Sequence, residues 1–132
     1  MGMERKSTHT IEEIKELTSE LLFTSKKAKS KVELDGDNIK PNSQRYQTFF
    51  TKGTKCVKCG IEGKFFAKER TENSNESYHL NLYAIDKDGL EVLMTKDHIV
   101  PKSKGGKNEV ENYQTMCCIC NFEKGNKEEI EY

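Results

Sequence analysis

Apolar residues at Ile11, Ile14, Leu17, Leu21 and Leu22 recur at helical spacing and predict an amphipathic helix starting near Thr10. Glu13, three residues after Thr10, completes the capping-box arrangement. The polar residues 1–9 are expected to fray, with His9 solvated. Ser25 to Lys31 carries four lysines, which suit either a helix C-terminus or a phosphate-contacting edge. Val32 to Gly36 predicts a short strand entering a turn, and Asp35 to Ser43, with Pro41, reads as loop. Residues 1–40 are therefore read as an N-terminal helical arm and linker, docked by simple packing or serving dimerisation, and residues 41–132 as the main domain.

In that domain Tyr46, Phe49 and Phe50 fall at helical spacing and are expected to fill the core. Lys64 to Lys68, Tyr78 to Ile85 and Leu90 to Thr95 have strand character, and Asp86-Lys87-Asp88-Gly89 is a hairpin turn signal between the last two. The third strand leads directly onto Asp97-His98, so these residues are expected at a rigid strand end. His79, on an alternating strand, reads as structural or surface-exposed. The pattern gives an α+β fold.

Composition sharpens this. Of 132 residues, 33% are hydrophobic and 33% charged, so the core is thin and a covalent or metal staple is expected. A formal net charge of +0 weakens the case for bulk attraction to nucleic acid, which local lysine clusters must then supply, or affinity is modest. Five cysteines without an apolar signal stretch or a long apolar run point to a reducing, cytoplasmic setting, with secretion and membrane spanning disfavoured. There, CxxC pairs bind metal rather than form disulfides.

Two such pairs are present, Cys56/Cys59 and Cys117/Cys120, and together they match a tetrahedral four-thiolate zinc site; the bland alternative is that some thiols are merely buried. Cys118 is the odd thiol, a small buried or surface residue. Four thiolates leave no open position, so this zinc would be structural and any catalysis needs another ion. Asp97 offers a carboxylate oxygen and Asn121 a carbonyl oxygen, a hard donor pair that suits Mg²⁺ or Mn²⁺. His98 alternates away from Asp97 along the strand, and a neutral imidazole there can act as general base. Hydrolysis of a phosphodiester is the reaction this set suits.

Asp97-His98-Ile99-x-Pro101, Gly105-Gly106, Asn112 and Cys117-x-x-Cys120-Asn121-x-x-Lys124-Gly125 resemble the HNH endonuclease signature in its zinc-stapled form, with small phage-type HNH proteins as the nearest likeness. The resemblance implies a ββα-metal core and a divalent-cation-dependent DNA endonuclease leaving a 5′-phosphate and a 3′-hydroxyl. It implies His98 as the base, Asp97 and Asn121 at the cation, and Asn112 as the amide tying loop to strand. The last signature residue is often His; Asn121 in its place favours Mg²⁺ or Mn²⁺ over nitrogen-preferring metals.

Lys96, Lys102, Lys104, Lys107 and Lys124 ring the site as candidate phosphate contacts, with Pro101 and the two glycines shaping the loop. The implied partner is double-stranded DNA, with a homodimer or a larger phage or bacterial protein complex as assemblies and no membrane. Glu128, Glu129 and Glu131 make an acidic tail expected to turn away from DNA. A non-catalytic zinc-knuckle module that binds nucleic acid or protein is the main alternative, and a thiol-based redox enzyme a minor one that leaves Asp97, His98 and Asn121 without a role.

Overall fold

A computed structural model describes residues 2–125, and in it β1 (Met3–Thr10), β4 (Gly63–Thr71), β5 (His79–Ile85), β6 (Glu91–His98) and β7 (Tyr113–Cys117) form one antiparallel sheet in the order β1-β4-β5-β6-β7. Helix α1 (Ile11–Thr18) follows β1, and the hairpin of β2 (Val32–Leu34) and β3 (Asp37–Ile39) follows α1. Helix α2 (Gln44–Lys52) precedes β4, and α3 (Cys118–Lys124) continues directly from β7. The unit β6–β7–α3 is the expected ββα core.

Alternation places Phe66, Leu80, Leu82, Val92 and Met94 on the face that α1 and α2 cover with Ile14, Tyr46 and Phe49, all of them buried. Each such side chain contributes roughly 1.5–3 kcal/mol by leaving water. Phe66 is the hub, with Tyr46 edge-on at 6.3 Å and Phe50 at 5.8 Å between ring centroids. The expected turn between β5 and β6 forms as read, with the Gly89 amide donating to the Asp86 carbonyl.

Strand β6 changes partner along its length. Residues Glu91 to Leu93 pair with β5, whereas Met94 to His98 pair with β7. The second half, which carries Asp97 and His98, is therefore ruled by its register with β7.

The N-terminal residues depart from the expectation of fraying. They form β1, paired with β4 from Met3↔Thr71 to Thr10↔Phe65. A polar strand is tolerated because it lies at the sheet's edge, and Arg5 pins it, its Nε donating to Glu69 at 2.7 Å and its Nη atoms to Glu91 at 2.9 and 2.7 Å. His9 is buried rather than solvated, with Nδ1 2.8 Å from Glu13 Oε2 and Nε2 2.8 Å from Ser7 Oγ. Thr10 caps α1 through the Glu13 amide, while the Glu13 carboxylate turns to His9 instead of closing the capping box.

The stretch read as loop after Asp35 forms β3 and is clamped by Lys68, which is fully buried and donates to Leu34 O, Asp35 O and Asp37 Oδ2. Segment 1–40 thus supplies an edge strand, a helix and a hairpin. The cluster Lys26 to Lys31 is solvent-exposed at its lysines. The acidic tail Glu128, Glu129 and Glu131 lies outside the described residues. Among the described residues no helix is long and apolar enough to cross a membrane.

Candidate active site and thiolate cluster

The two CxxC pairs meet. The Sγ atoms of Cys56, Cys59, Cys117 and Cys120 all lie within 4.8 Å of one another, and Cys59 and Cys117 are 3.8 Å apart. A tetrahedron with Zn–S bonds of about 2.3 Å has an S···S edge of about 3.8 Å, so the donor set fits a zinc-type ion. Each pair turns one amide back on its first sulfur: Cys59 N lies 3.5 Å from Cys56 Sγ, and Cys120 N 3.4 Å from Cys117 Sγ. Strand β7 joins the knuckles, since it ends in Cys117 and its Thr115 carbonyl accepts from the Val57 amide at 3.0 Å.

Burial raises the Cys56 thiol, but the amides of Cys59, Cys117 and Lys58 outweigh it and bring it down to about 7. Burial and the neighbouring thiols push Cys120 up, and burial does the same to Cys117. Four thiols held this closely repel once ionised, which is the state a bound cation relieves. Cys118 is half-buried and outside the cluster.

Further along α3, a cleft of about 260 Å³ is lined by Lys96, Asp97, His98, Lys102, Asn121 and Lys124, together with the turn residues Pro101, Ser103 and Gly125. Alternation sends Asp97 and His98 to opposite faces of β6, yet both reach this cleft because it sits at the strand's end. Cross-strand register supports each of them. Asp97 pairs with Gln114, whose Nε2 donates to Asp97 Oδ2 at 3.0 Å, and His98 pairs with Tyr113, whose ring meets the imidazole edge-on at 4.9 Å.

The Asn121 amide is oriented by a short chain of hydrogen bonds. Thr95 Oγ1 commits its proton to Met116 O at 2.7 Å and so can only accept from Asn121 Nδ2, at 2.8 Å. Among the described residues, Asn121 Oδ1 and Asp97 Oδ1 take no hydrogen bond, and both residues line the cleft. A hard divalent cation fits such a pair of oxygens.

Asn112 spans the loop. Its Oδ1 accepts from Val100 N at 3.0 Å and its Nδ2 donates to Val100 O at 3.1 Å and Lys107 O at 2.9 Å. Gly106 lies so close that a Cβ there would come within 1.8 Å of Val100 O, and Gly105, at φ 89°, ends the 102–104 turn in the left-handed region.

The lysines separate into three kinds. Lys102, Lys104 and Lys107 are exposed. Lys96 is half-buried with Nζ 4.2 Å from the Tyr113 ring centroid, and its pKa is lowered by burial and by the nearby cations Arg45 and Lys26. Lys124 is not the surface residue that the sequence suggests: it is 1% exposed and donates to His98 O at 2.8 Å, with Asp97 Oδ2 3.2 Å away.

Sequence reading missed Asn108, whose Oδ1 lies 2.8 Å from His98 Nε2, as well as Thr95 and Gln114. The partnership of Gln114 with Asp97 needs the strand register, which no local pattern carries. A larger groove of about 670 Å³, lined by Gln44, Gln47, Lys52 and Asn108 among others, lies beside the cleft but holds no acid–histidine pair.

Comparison with curated proteins and with solved structures gave no match. Residues 86–131, which run from the β5–β6 turn through β6, the glycine loop, β7 and α3, match the family model described as HNH endonuclease, in agreement with the signature read from the sequence.

Proposed function

We propose that the protein is a metal-dependent endonuclease that hydrolyses phosphodiester bonds of double-stranded DNA in the cytoplasm. One observation carries this reading: a carboxylate, an imidazole and an amide carbonyl, from Asp97, His98 and Asn121, converge on a single cleft. A binding module needs no such set.

Asp97 and Asn121 would hold Mg²⁺ or Mn²⁺ through their unpartnered oxygens. A cation held there supplies Lewis-acid polarisation of the phosphate and neutralises charge growing on the leaving oxygen. His98 takes the proton of the attacking water as general base, and Asn112 keeps the loop closed over the strand end so that the imidazole stays in place. Lys102, with Lys96 behind it, contacts phosphate at the cleft, and Lys104 and Lys107 extend that contact along the loop. Cys56, Cys59, Cys117 and Cys120 hold structural zinc, which fixes the start of α3 and hence Asn121.

Supercoiled plasmid incubated with Mg²⁺, Mn²⁺ or chelator tests the reading. Nicked or linear product that requires the cation, and falls by about 10²-fold or more in His98→Ala, is expected. Full cleavage by His98→Ala overturns the assignment. Cation-independent binding with no cleavage, unchanged in Asp97→Asn, would establish the zinc-knuckle binding module instead.

A further inference from the structure

A closed circuit surrounds the His98 imidazole, and one member lies far outside the family segment. His98 Nε2 is 2.8 Å from Asn108 Oδ1. The Asn108 backbone carbonyl accepts from Gln44 Nε2 at 3.1 Å. Gln44 Oε1 accepts from the Tyr113 hydroxyl at 3.1 Å, and the Tyr113 ring packs edge-on against His98 at 84°. Helix α2 also grips Tyr113 from its other end, with Lys52 Nζ donating to Tyr113 O at 3.0 Å.

The donor and acceptor identities admit one arrangement. A backbone carbonyl only accepts, so Gln44 must present its amide nitrogen to Asn108 and its oxygen to Tyr113. The Asn108 side-chain oxygen likewise only accepts, so in the neutral imidazole the proton sits on Nε2 and Nδ1 keeps its lone pair. Tyr113 is 1% exposed, which leaves the ring against His98 little room to move.

We infer that Gln44 is a positioning residue for His98, acting through Asn108 and Tyr113 to hold the imidazole in one orientation and in the Nε2–H form. The role rests on the proposed nuclease activity, in which His98 must accept a proton on Nδ1. It makes α2, outside the matched segment 86–131, part of the catalytic apparatus. Gln44 touches no reacting atom.

Two measurements on the full chain test this independently. The first is ¹⁵N NMR of histidine-labelled protein well above neutral pH, with the His98 signals assigned by their loss in His98→Ala. The wild type should show the Nε2–H form, and Asn108→Ala a mixture of the two tautomers. A wild-type Nδ1–H signal overturns the inference.

The second is plasmid nicking. Gln44→Met and Asn108→Ala should each lower kcat by about ten- to hundredfold at unchanged KM, the range for partners that orient a site residue. Their double variant should lose clearly less than the product of the two single losses, because both act on one imidazole. Full additivity, an unchanged kcat in Gln44→Met, or a loss confined to KM overturns the inference. Should Gln44→Met fail to fold, Tyr113→Phe keeps the ring and removes only the hydroxyl's bond to Gln44, and the same kcat loss is expected. A protein inactive on plasmid, yet with His98 in the Nε2–H form that Asn108→Ala scrambles, overturns the nuclease reading and leaves the positioning intact.

Discussion

Lys124 sets its ammonium 3.2 Å from Asp97 Oδ2 with both side chains buried, so the carboxylate proposed to hold a cation already has one. The pair is neutral as it stands, and a divalent ion entering beside it is opposed by Lys124 until a substrate phosphate adds negative charge. Removing the ammonium leaves a buried carboxylate without a countercharge, held only by the Gln114 amide. Lys124→Met should therefore lose about 3 kcal/mol of stability without divalent cation, the order seen when one partner of a buried pair is deleted. Mn²⁺ should restore much of that loss while leaving the wild type nearly unchanged. Urea midpoints with and without Mn²⁺ measure both, and a Lys124→Met protein indifferent to Mn²⁺ would rule out Asp97 as a ligand.

The cysteine cluster brings together two stretches distant in sequence, Cys56/Cys59 before β4 and Cys117/Cys120 at α3. Metal binding displaces thiol protons, and burial holds Cys117 and Cys120 above the usual thiol range, so loading should weaken as pH falls. One zinc per chain is expected by elemental analysis. Cys120→Ser should lose it and unfold α3, with a stability loss of several kcal/mol on the order of the whole folding free energy, about 5–15 kcal/mol. Retention of full stability in a strong chelator would show that the cluster is only a set of buried thiols.

Two neighbouring glycines should respond differently to the same added methyl. At Gly105 the space is open and only the left-handed backbone is strained, which costs about 1–2 kcal/mol for a side-chain-bearing residue. At Gly106 a Cβ would sit 1.8 Å from Val100 O and 2.9 Å from Asn112 Nδ2, so the loop must open and the Asn112 ties must break. Gly106→Ala should be the more damaging in both denaturation midpoint and plasmid cleavage. Equal effects, or a milder Gly106→Ala, would mean that Asn112 does not hold the loop.

Much of this site is legible in the chain because its parts are local. The CxxC spacing fixes which sulfurs turn together, the Asp-Gly turn fixes the hairpin, and Asp97-His98 ends the strand that the turn creates. What the sequence hides depends on register or on distant partners. Lys124 reads as one more surface lysine, and only the β6–α3 packing shows it buried against Asp97. Residues 1–9 read as frayed because an edge strand needs no apolar alternation, and the partners that fix it, Glu69 and Glu91, lie 64 and 86 residues from Arg5. Asn108 sits in an unremarkable polar loop, and its value follows from where β6 ends.

Tyr83 gives the fold a pH limit at its alkaline side. Its hydroxyl donates to Glu69 Oε1 at 2.7 Å, in a network where the same carboxylate takes Arg5 and Asn81. Burial, reinforced by Glu69, raises the phenol to about 12. An unfolded tyrosine ionises near ~10, so the folded state holds its proton more tightly. The resulting contribution is whole below about pH 10 and is lost as the pH climbs through about 12. Tyr83→Phe should cost about 1 kcal/mol near neutral pH, since Glu69 keeps its two other donors. Above about pH 10 the gap between wild type and Tyr83→Phe should shrink. Urea midpoints taken across the alkaline range for both proteins follow that gap, and curves that stay parallel to the highest pH would show that the Tyr83 proton is not held by the fold.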